Sequence, residues 1–312
     1  MISIIIPAKE LEDYLFNSLY NYTMSFTFDY EIIIVFDIYS VNVYSKFKLN
    51  FEKNDSVYFL LNPSKGRINA LNYGYAHAKG DIIKCIDADD IILNGYFNNL
   101  ETMANYPVHC HNANLINSND EIVGTYNFDS NFLFKDYNYV LSNLKSQPRW
   151  IWSFNRKIAD YIFPIPTELF AEDIWFSLII KKNCENIFHI NNSVYSYRQH
   201  PGGEWGGIKN FSPEVMTRRA KWNLALIPIL LENKSTLGIV SCNIFSNIVN
   251  YYRVFLMERD VSEIFCANTK IYYKMRLFLI MYFPAVASIL LSIKWYISKR
   301  VIAFKNKKIF CE

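Results

Sequence analysis

The chain has 312 residues, 51% of them hydrophobic and 20% charged, which is enough apolar material for one large or two modest cores and excludes collagenous, disordered and disulfide-miniprotein classes. A net charge of +3 is too small to imply nucleic acid, and none is expected as a partner. The basic excess is local, because from Ile264 to Cys311 there is no Asp or Glu but there are nine Lys or Arg. Six cysteines without a CxxC pair indicate neither a zinc site nor a disulfide framework and fit a reducing compartment. The run Ile2 to Ile6 is too short for a signal-peptide core, so a cytoplasmic protein is expected.

Over the first ninety residues, β-branched runs alternate with helix-like stretches: Ile2 to Ile6, Leu11 to Tyr22, Glu31 to Phe36, Val57 to Leu61, Asn69 to Ala78 and Asp81 to Ile86. This alternation predicts an α/β fold, a mainly parallel sheet covered by helices, with ligands beyond the carboxyl ends of the strands. The residues to inspect are therefore Pro7 to Glu10, Asp37, Asn62 to Arg67 and Asp87 to Asp90. Residues 108 to 124 read as two strands joined through Asn117-Ser118-Asn119-Asp120, and residues 125 to 150, without a clear period, as a loop-rich acceptor-facing stretch. From about Ser212 the pattern becomes helical, with long stretches at Val215 to Leu231 and Ile239 to Met257. Leu277 to Ile293 is 17 residues without a charge, interrupted by Pro284 and flanked by basic residues. It is short of the roughly 20 residues of a spanning helix, so a surface-lying membrane helix, a buried core helix and a span all remain open.

The residues with the strongest chemical signal are Asp87-Ala88-Asp89-Asp90 at the end of an apolar run. Carboxylates at i and i+2 of a strand share a face and suit a hard cation such as Mg²⁺ or Mn²⁺, whereas an acidic turn capping a helix over Asn94 to Asn99 would use the same residues differently. Glu172-Asp173 opens a second helix-like run, where an anionic carboxylate is stabilised and can accept a proton from a hydroxyl. His109-Cys110-His111 looks metal-like, but strand alternation separates Cys110 from the two His and favours a packed strand.

Taken together, Ile2-Ser3-Ile4-Ile5-Ile6-Pro7, Lys65-Gly66-Arg67-Ile68-Asn69-Ala70-Leu71-Asn72-Tyr73-Gly74, the acidic motif, Glu172-Asp173 and Tyr197-Arg198-Gln199-His200 resemble family 2 glycosyltransferases of the GT-A fold. The resemblance implies a catalytic domain over residues 1–208, with its nucleotide-sugar half at about 1–100 and its acceptor half at about 101–208, while the sequence pattern makes 209–312 a helical, basic region open to membrane association. It places Pro7 at the end of the first strand, Asp37 at a uracil-type base, Arg67 and Lys65 near base or phosphates, and Asp87 and Asp89 at the ribose and the metal-bound diphosphate. Asp90 is an alternative ligand, and His200 a metal or diphosphate contact in a glycine-rich closing loop. Asp173 is implied as general base, with Glu172 as helper or acceptor contact. The expected activity is inverting transfer from a nucleotide diphosphate sugar, with Mn²⁺ or Mg²⁺, to a glycan or lipid-linked acceptor at the inner membrane face. Ala8-Lys9-Glu10 and Phe36-Asp37-Ile38-Tyr39 depart from the usual family motifs, which leaves base selectivity open. A nucleotidyltransferase would want a glycine-rich loop after the first strand, and Pro7-Ala8-Lys9-Glu10 offers none; a noncatalytic sugar-binding scaffold would have little need of Asp87, Asp89 and Asp173 together.

Overall fold

The computed structural model describes residues 1–9, 12–25, 28–37, 40–51, 54–99, 102, 105–199, 213–256, 271–283, 286–287 and 289–290. The chain divides into two compact units, one of residues 1–129, 135–140 and 145–200 and the other of residues 130–134, 141–144 and 201–312.

In the first unit the order is β1 (Ile2–Ala8), α1 (Glu12–Ser25), β2 (Tyr30–Phe36), α2 (Val41–Phe51), β3 (Val57–Leu61), α3 (Arg67–His77), β4 (Ile82–Cys85), β5 (Ile91–Ile92), β6 (Val108–Ile116) and β7 (Ile122–Tyr126). The short helix α4 (Tyr137–Ser142) follows, then β8 (Trp152–Asn155), α5 (Arg156–Ile162), α6 (Glu172–Asn183) and β9 (Ile187–Arg198). The sheet runs β3-β2-β1-β4-β8-β6-β9-β5, with β7 added to β6. β1, β2, β3 and β4 are mutually parallel. Their central members are continuous apolar runs because both faces are covered, and Ile4, Ile5, Ile32, Ile34 and Val35 are fully buried.

Chain direction explains where the helices go. β1, β2 and β3 advance across the sheet in one direction, and the step from β3 to β4 returns past them. Right-handed crossovers therefore put α1 and α2 on one face and α3 on the other. Gly74 lets α3 lie against the sheet, since a Cβ there would come within 2.6 Å of Ile5 Cγ2 and 3.1 Å of Val35 Cγ2. The strand order reverses at β1, so the carboxyl ends of β1, β2 and β4 surround the position where open α/β sheets bind ligands.

Two expectations are corrected, for residues 94–99 and for the helix from 239. Residues 94–99 form a 3₁₀ turn separated from the acidic motif by β5, so the acids do not cap it. Within the loop-rich stretch 125–150, as expected, lie α4 and the start of the 3₁₀ turn Arg149–Ile151 that leads directly into β8. The helix expected from 239 to 257 is broken by a 3₁₀ turn at Cys242–Phe245, started where Ser241 Oγ accepts the Asn243 N–H at 3.2 Å.

The second unit contains α7 (Pro213–Glu232), α8 (Lys234–Leu237), α9 (Ser246–Leu256) and α10 (Ile271–Tyr282). Asn223 of α7 donates to Tyr252 Oη of α9 at 3.0 Å. Among the described residues no helix is long and apolar enough to cross a membrane. Ile271, Met275, Tyr282, Phe283, Val286, Ile289 and Leu290 are nonetheless exposed.

Candidate functional site

At the end of β2 the buried Asp37 accepts the Gly66 N–H at 3.3 Å, which fastens the strand to the start of α3. Gly66 has φ +108°, a conformation that any side chain would strain. Lys65 is exposed beside it, and Pro7 lies in β1 opposite Val35 of β2. Asn72 accounts for another part of the sequence motif: its amide accepts the Ile165 N–H at 2.7 Å and donates to Ile165 O at 2.8 Å, holding the segment that leads toward α6.

Asp87 to Asp90 do not extend β4. The strand stops at Cys85 and the Asp90 N–H returns to Asp87 O at 3.3 Å, so the carboxylates are brought together by a turn and not by strand pleat. Asp90 points inward, with Oδ2 accepting from Tyr195 Oη at 2.6 Å and Oδ1 from the Arg198 N–H at 2.8 Å. Burial, then the charges of Asp87 and Asp89, push its pKa well above the carboxylate range. Both Asp90 oxygens are thus engaged by β9, which ties the end of the motif to that strand.

Arg149 lies at the centre of the acidic cluster, 2% exposed. Its Nη2 donates to Asp87 Oδ1, its Nε is 3.6 Å from Glu172 Oε1, an ion pair without a hydrogen bond, and its backbone N–H donates to Asp173 Oδ1 at 2.7 Å. Burial alone would lower the Arg149 pKa, but Asp87 and Glu172 together push it up, so this cation is permanent. Arg67 turns to the same acid, with Nε 2.8 Å from Glu172 Oε1 and Nη2 donating to Oε2 at 3.1 Å. Glu172 is therefore held by two arginines. Asp173 opens α6 beside it, partly exposed, with its pKa pushed up to about 7, first by burial and second by the Glu172 charge.

Two buried cations complete the framework. Arg198 donates through Nε to Asp89 O at 2.8 Å and through Nη1 to Asn117 O at 2.9 Å, pairs with Asp120 at 2.5 Å, and lies 4.1 Å from the Tyr14 ring centroid. Lys84, fully buried in β4, lies 2.6 Å from His111 Nε2, 2.5 Å from Trp150 O and 3.3 Å from Trp152 O, between the rings of Tyr96 and Tyr195. Burial drives its pKa well down, yet three acceptors match the three protons of an ammonium. His111, lowered by burial and then by Lys84, is neutral, and its Nδ1–H donates to Asn112 O at 3.0 Å. His109-Cys110-His111 is thus a packed strand, as expected.

The structure brings Arg67, Asp87, Glu172 and Asp173 together around Arg149, and places Asp37 with Lys65 and Gly66 at the edge of α3. His200 and the glycine-rich loop lie outside the described residues. Among the described residues no three His, Cys, Asp or Glu side chains converge on a metal position. The carboxylates that could hold a hard cation here are Asp87 and Asp89. Arg149 and Lys84 are the buried framework cations that the sequence pattern did not mark out. Lys84 carried a signal, because a lysine inside Ile82-Ile83-Lys84-Cys85-Ile86 must find partners in the core.

The sequence matches the family model for glycosyl transferase family 2 over residues 3–163, just over half of the chain. None of the curated protein sequences matches it. Among solved structures, the fold is similar to S. aureus TarS 1-349 in complex with UDP-GlcNAc, with TM-score 0.54 and 17% identity over 90% of this chain and 87% of that one. It is also similar to TarS 1-349 in complex with UDP, with TM-score 0.51 and 16% identity over 89% of this chain and 69% of that one. At such identity the likeness speaks for the fold. With the family model covering β1 to β4, the motif helix and the acidic turn, the chain belongs to glycosyl transferase family 2 and is a glycosyltransferase of GT-A architecture.

Proposed function

We propose that this enzyme transfers a sugar with inversion from a UDP-sugar to a hydroxyl of a glycan or lipid-linked saccharide, with Asp173 as the general base. The observation that carries the reading is the Asp173 carboxyl, poised near pH 7 at the start of α6 and joined through Arg149 to Asp87 at the end of β4. A base whose pKa lies near the working pH combines the deprotonated state with useful proton affinity.

Asp37 and Lys65 flank the Gly66 turn where a nucleotide base would lie, and Asp87 and Asp89 would hold Mn²⁺ or Mg²⁺ together with the diphosphate. A cation bound there offsets the charge that accumulates on the departing diphosphate. Asp173 then removes the proton from the acceptor hydroxyl, whose oxygen displaces the nucleotide at the anomeric carbon in one step. Arg149 orients Asp173 through its backbone N–H and Glu172 through its side chain. The complexes of the TarS structures with UDP and UDP-GlcNAc support the choice of donor class.

A membrane-face acceptor is supported by the exposed apolar residues of and after α10 and by the run of nine basic residues without an acid from Ile264 to Cys311. The test is calorimetry of UDP with and without Mn²⁺, followed by UDP release from UDP-GlcNAc. Saturable, metal-dependent UDP binding and release are expected, and a protein that binds no UDP in either condition refutes the reading.

A further inference from the structure

Beside the acids lies a cluster of rings that the transfer chemistry above does not use. Trp150, the residue after Arg149, runs near-parallel to Tyr195 and Tyr197 of β9, at 5.1 Å and 6° to the first and 5.0 Å and 18° to the second. Tyr126, the last residue of β7, meets Trp150 edge-on at 5.2 Å. Trp150 and Tyr195 are buried, whereas Tyr197 and Tyr126 keep part of their surface in solvent. Trp150, itself stacked on buried Tyr195, thus backs both part-exposed rings.

We propose that Tyr197 and Tyr126 form the platform on which a pyranose ring of the acceptor rests, its C–H face on the aromatic rings and a hydroxyl directed to Asp173. The inference rests on the transferase reading above.

The surroundings identify the ligand chemistry. Burial, then the charges of Asp90, Asp87, Asp89 and Asp173, push the Tyr197 phenol up, and burial followed by Asp173 and Asp129 does the same for Tyr126. Tyr197 therefore lies within electrostatic reach of both the acidic turn and Asp173, and Tyr126 within reach of Asp173. An aromatic surface bordered by carboxylates suits a molecule with one apolar face and a rim of hydroxyl donors, which describes a pyranose. An apolar peptide or acyl chain would leave the carboxylates unmatched. The donor sugar is already positioned by its bond to the diphosphate, so a separate platform serves the acceptor. Arg149 and Trp150 are consecutive, so the backbone that donates to Asp173 also carries the ring behind the platform. Acceptor seating and base orientation thereby share one rigid turn, itself fastened by Lys84 to Trp150 O.

The experiment uses the full chain with Mn²⁺, UDP as the donor-side probe and the methyl glycosides of glucose, galactose and N-acetylglucosamine as acceptor-side probes. UDP affinity is measured by calorimetry and glycoside binding by saturation-transfer NMR. At least one glycoside should receive saturation on its ring C–H protons. Tyr197→Leu should weaken that binding roughly tenfold, the effect of losing one aromatic stacking contact, while Tyr197→Phe should stay within about twofold and UDP affinity should be unchanged in both. Tyr126→Leu, which removes the other accessible ring, should also weaken glycoside binding, and it decides the matter if Tyr197→Leu melts early. No glycoside bound by the wild type, equal binding by wild type and both Leu variants, or UDP affinity lost together with glycoside binding would each overturn the platform. A wild type that binds a glycoside through Tyr197 yet never binds UDP overturns the transferase reading itself, and the acceptor role with it.

Discussion

Asp173 offers a test that needs no substrate. Its carboxyl is pushed from 3.8 up to about 7, so between those values the folded protein holds a proton that the unfolded chain has released. Stability therefore falls as pH rises through this window, and the full penalty is present above pH 7. A shift of about three units at about 1.36 kcal/mol each gives about 4 kcal/mol, and solvent reaching the partly exposed side chain reduces this to about 2–4 kcal/mol. Asp173→Asn removes the charge and keeps an Oδ1 to accept the Arg149 N–H. At pH 8 the variant should melt roughly 4 °C or more above the wild type. Near pH 4, where the wild-type carboxyl is protonated, the two should converge. Transfer should show the opposite ranking: the wild-type rate declines below about pH 7, and the Asn variant is slower by roughly two or more orders of magnitude at every pH. Lower stability of Asp173→Asn at pH 8, or a wild-type activity limb near pH 4, would refute the placement of this carboxyl.

Asp89→Asn should abolish the Mn²⁺-dependent part of UDP binding, because a hard cation prefers charged oxygen; calorimetry with unchanged metal dependence would count against it. Arg149→Met should lower stability by about 3–5 kcal/mol in urea unfolding at pH 7, because Asp87 and the buried Glu172 lose their shared cation, and a variant as stable as wild type would show that Arg67 alone suffices for Glu172. Deleting residues 270–312 should release the protein from anionic vesicles in a sedimentation assay while UDP still binds, each Lys or Arg having contributed up to about 1 kcal/mol at the surface; intact protein that ignores vesicles would remove the support for a membrane-held acceptor.

The parts legible in the sequence were those fixed by local pattern. β1 through β4 read as apolar runs because parallel strands are buried on both faces, and α3 was marked by Gly66 and Gly74, where φ and close packing leave no room for a side chain. The position of Asp87, Asp89 and Asp90 was equally legible, but their geometry was not: the pleat argument assumed a strand that in fact ends at Cys85. Arg149 was hidden because it lies in an aperiodic stretch and meets Asp87 across 62 residues of sequence. Ile239 to Met257 has a helical pattern throughout, and the break at Cys242–Phe245 comes from Ser241 capping a local turn, a hydrogen bond that periodicity does not register.

Arg149 and Arg198 together explain why motifs so far apart in the chain form one site. Each is buried, and each joins the turn at 87–90 to a later element: Arg149 to the start of α6, Arg198 to the end of β9 and the β6–β7 turn. A lysine has one nitrogen and could satisfy only part of either set, whereas a guanidinium presents several donors in a fixed plane. The two also divide the acids by role. The Arg149 guanidinium pairs with Asp87 and Glu172, whereas Asp173 meets its backbone N–H, and burial followed by the Glu172 charge outweighs Arg149 in keeping the Asp173 pKa raised. Had the Arg149 guanidinium faced Asp173 directly, the same burial would have been offset and the carboxyl would return toward the ordinary range, too weak a base to take a proton from a hydroxyl near neutral pH. The raised Asp173 pKa therefore comes first from burial and second from Glu172, with Arg149 opposing both.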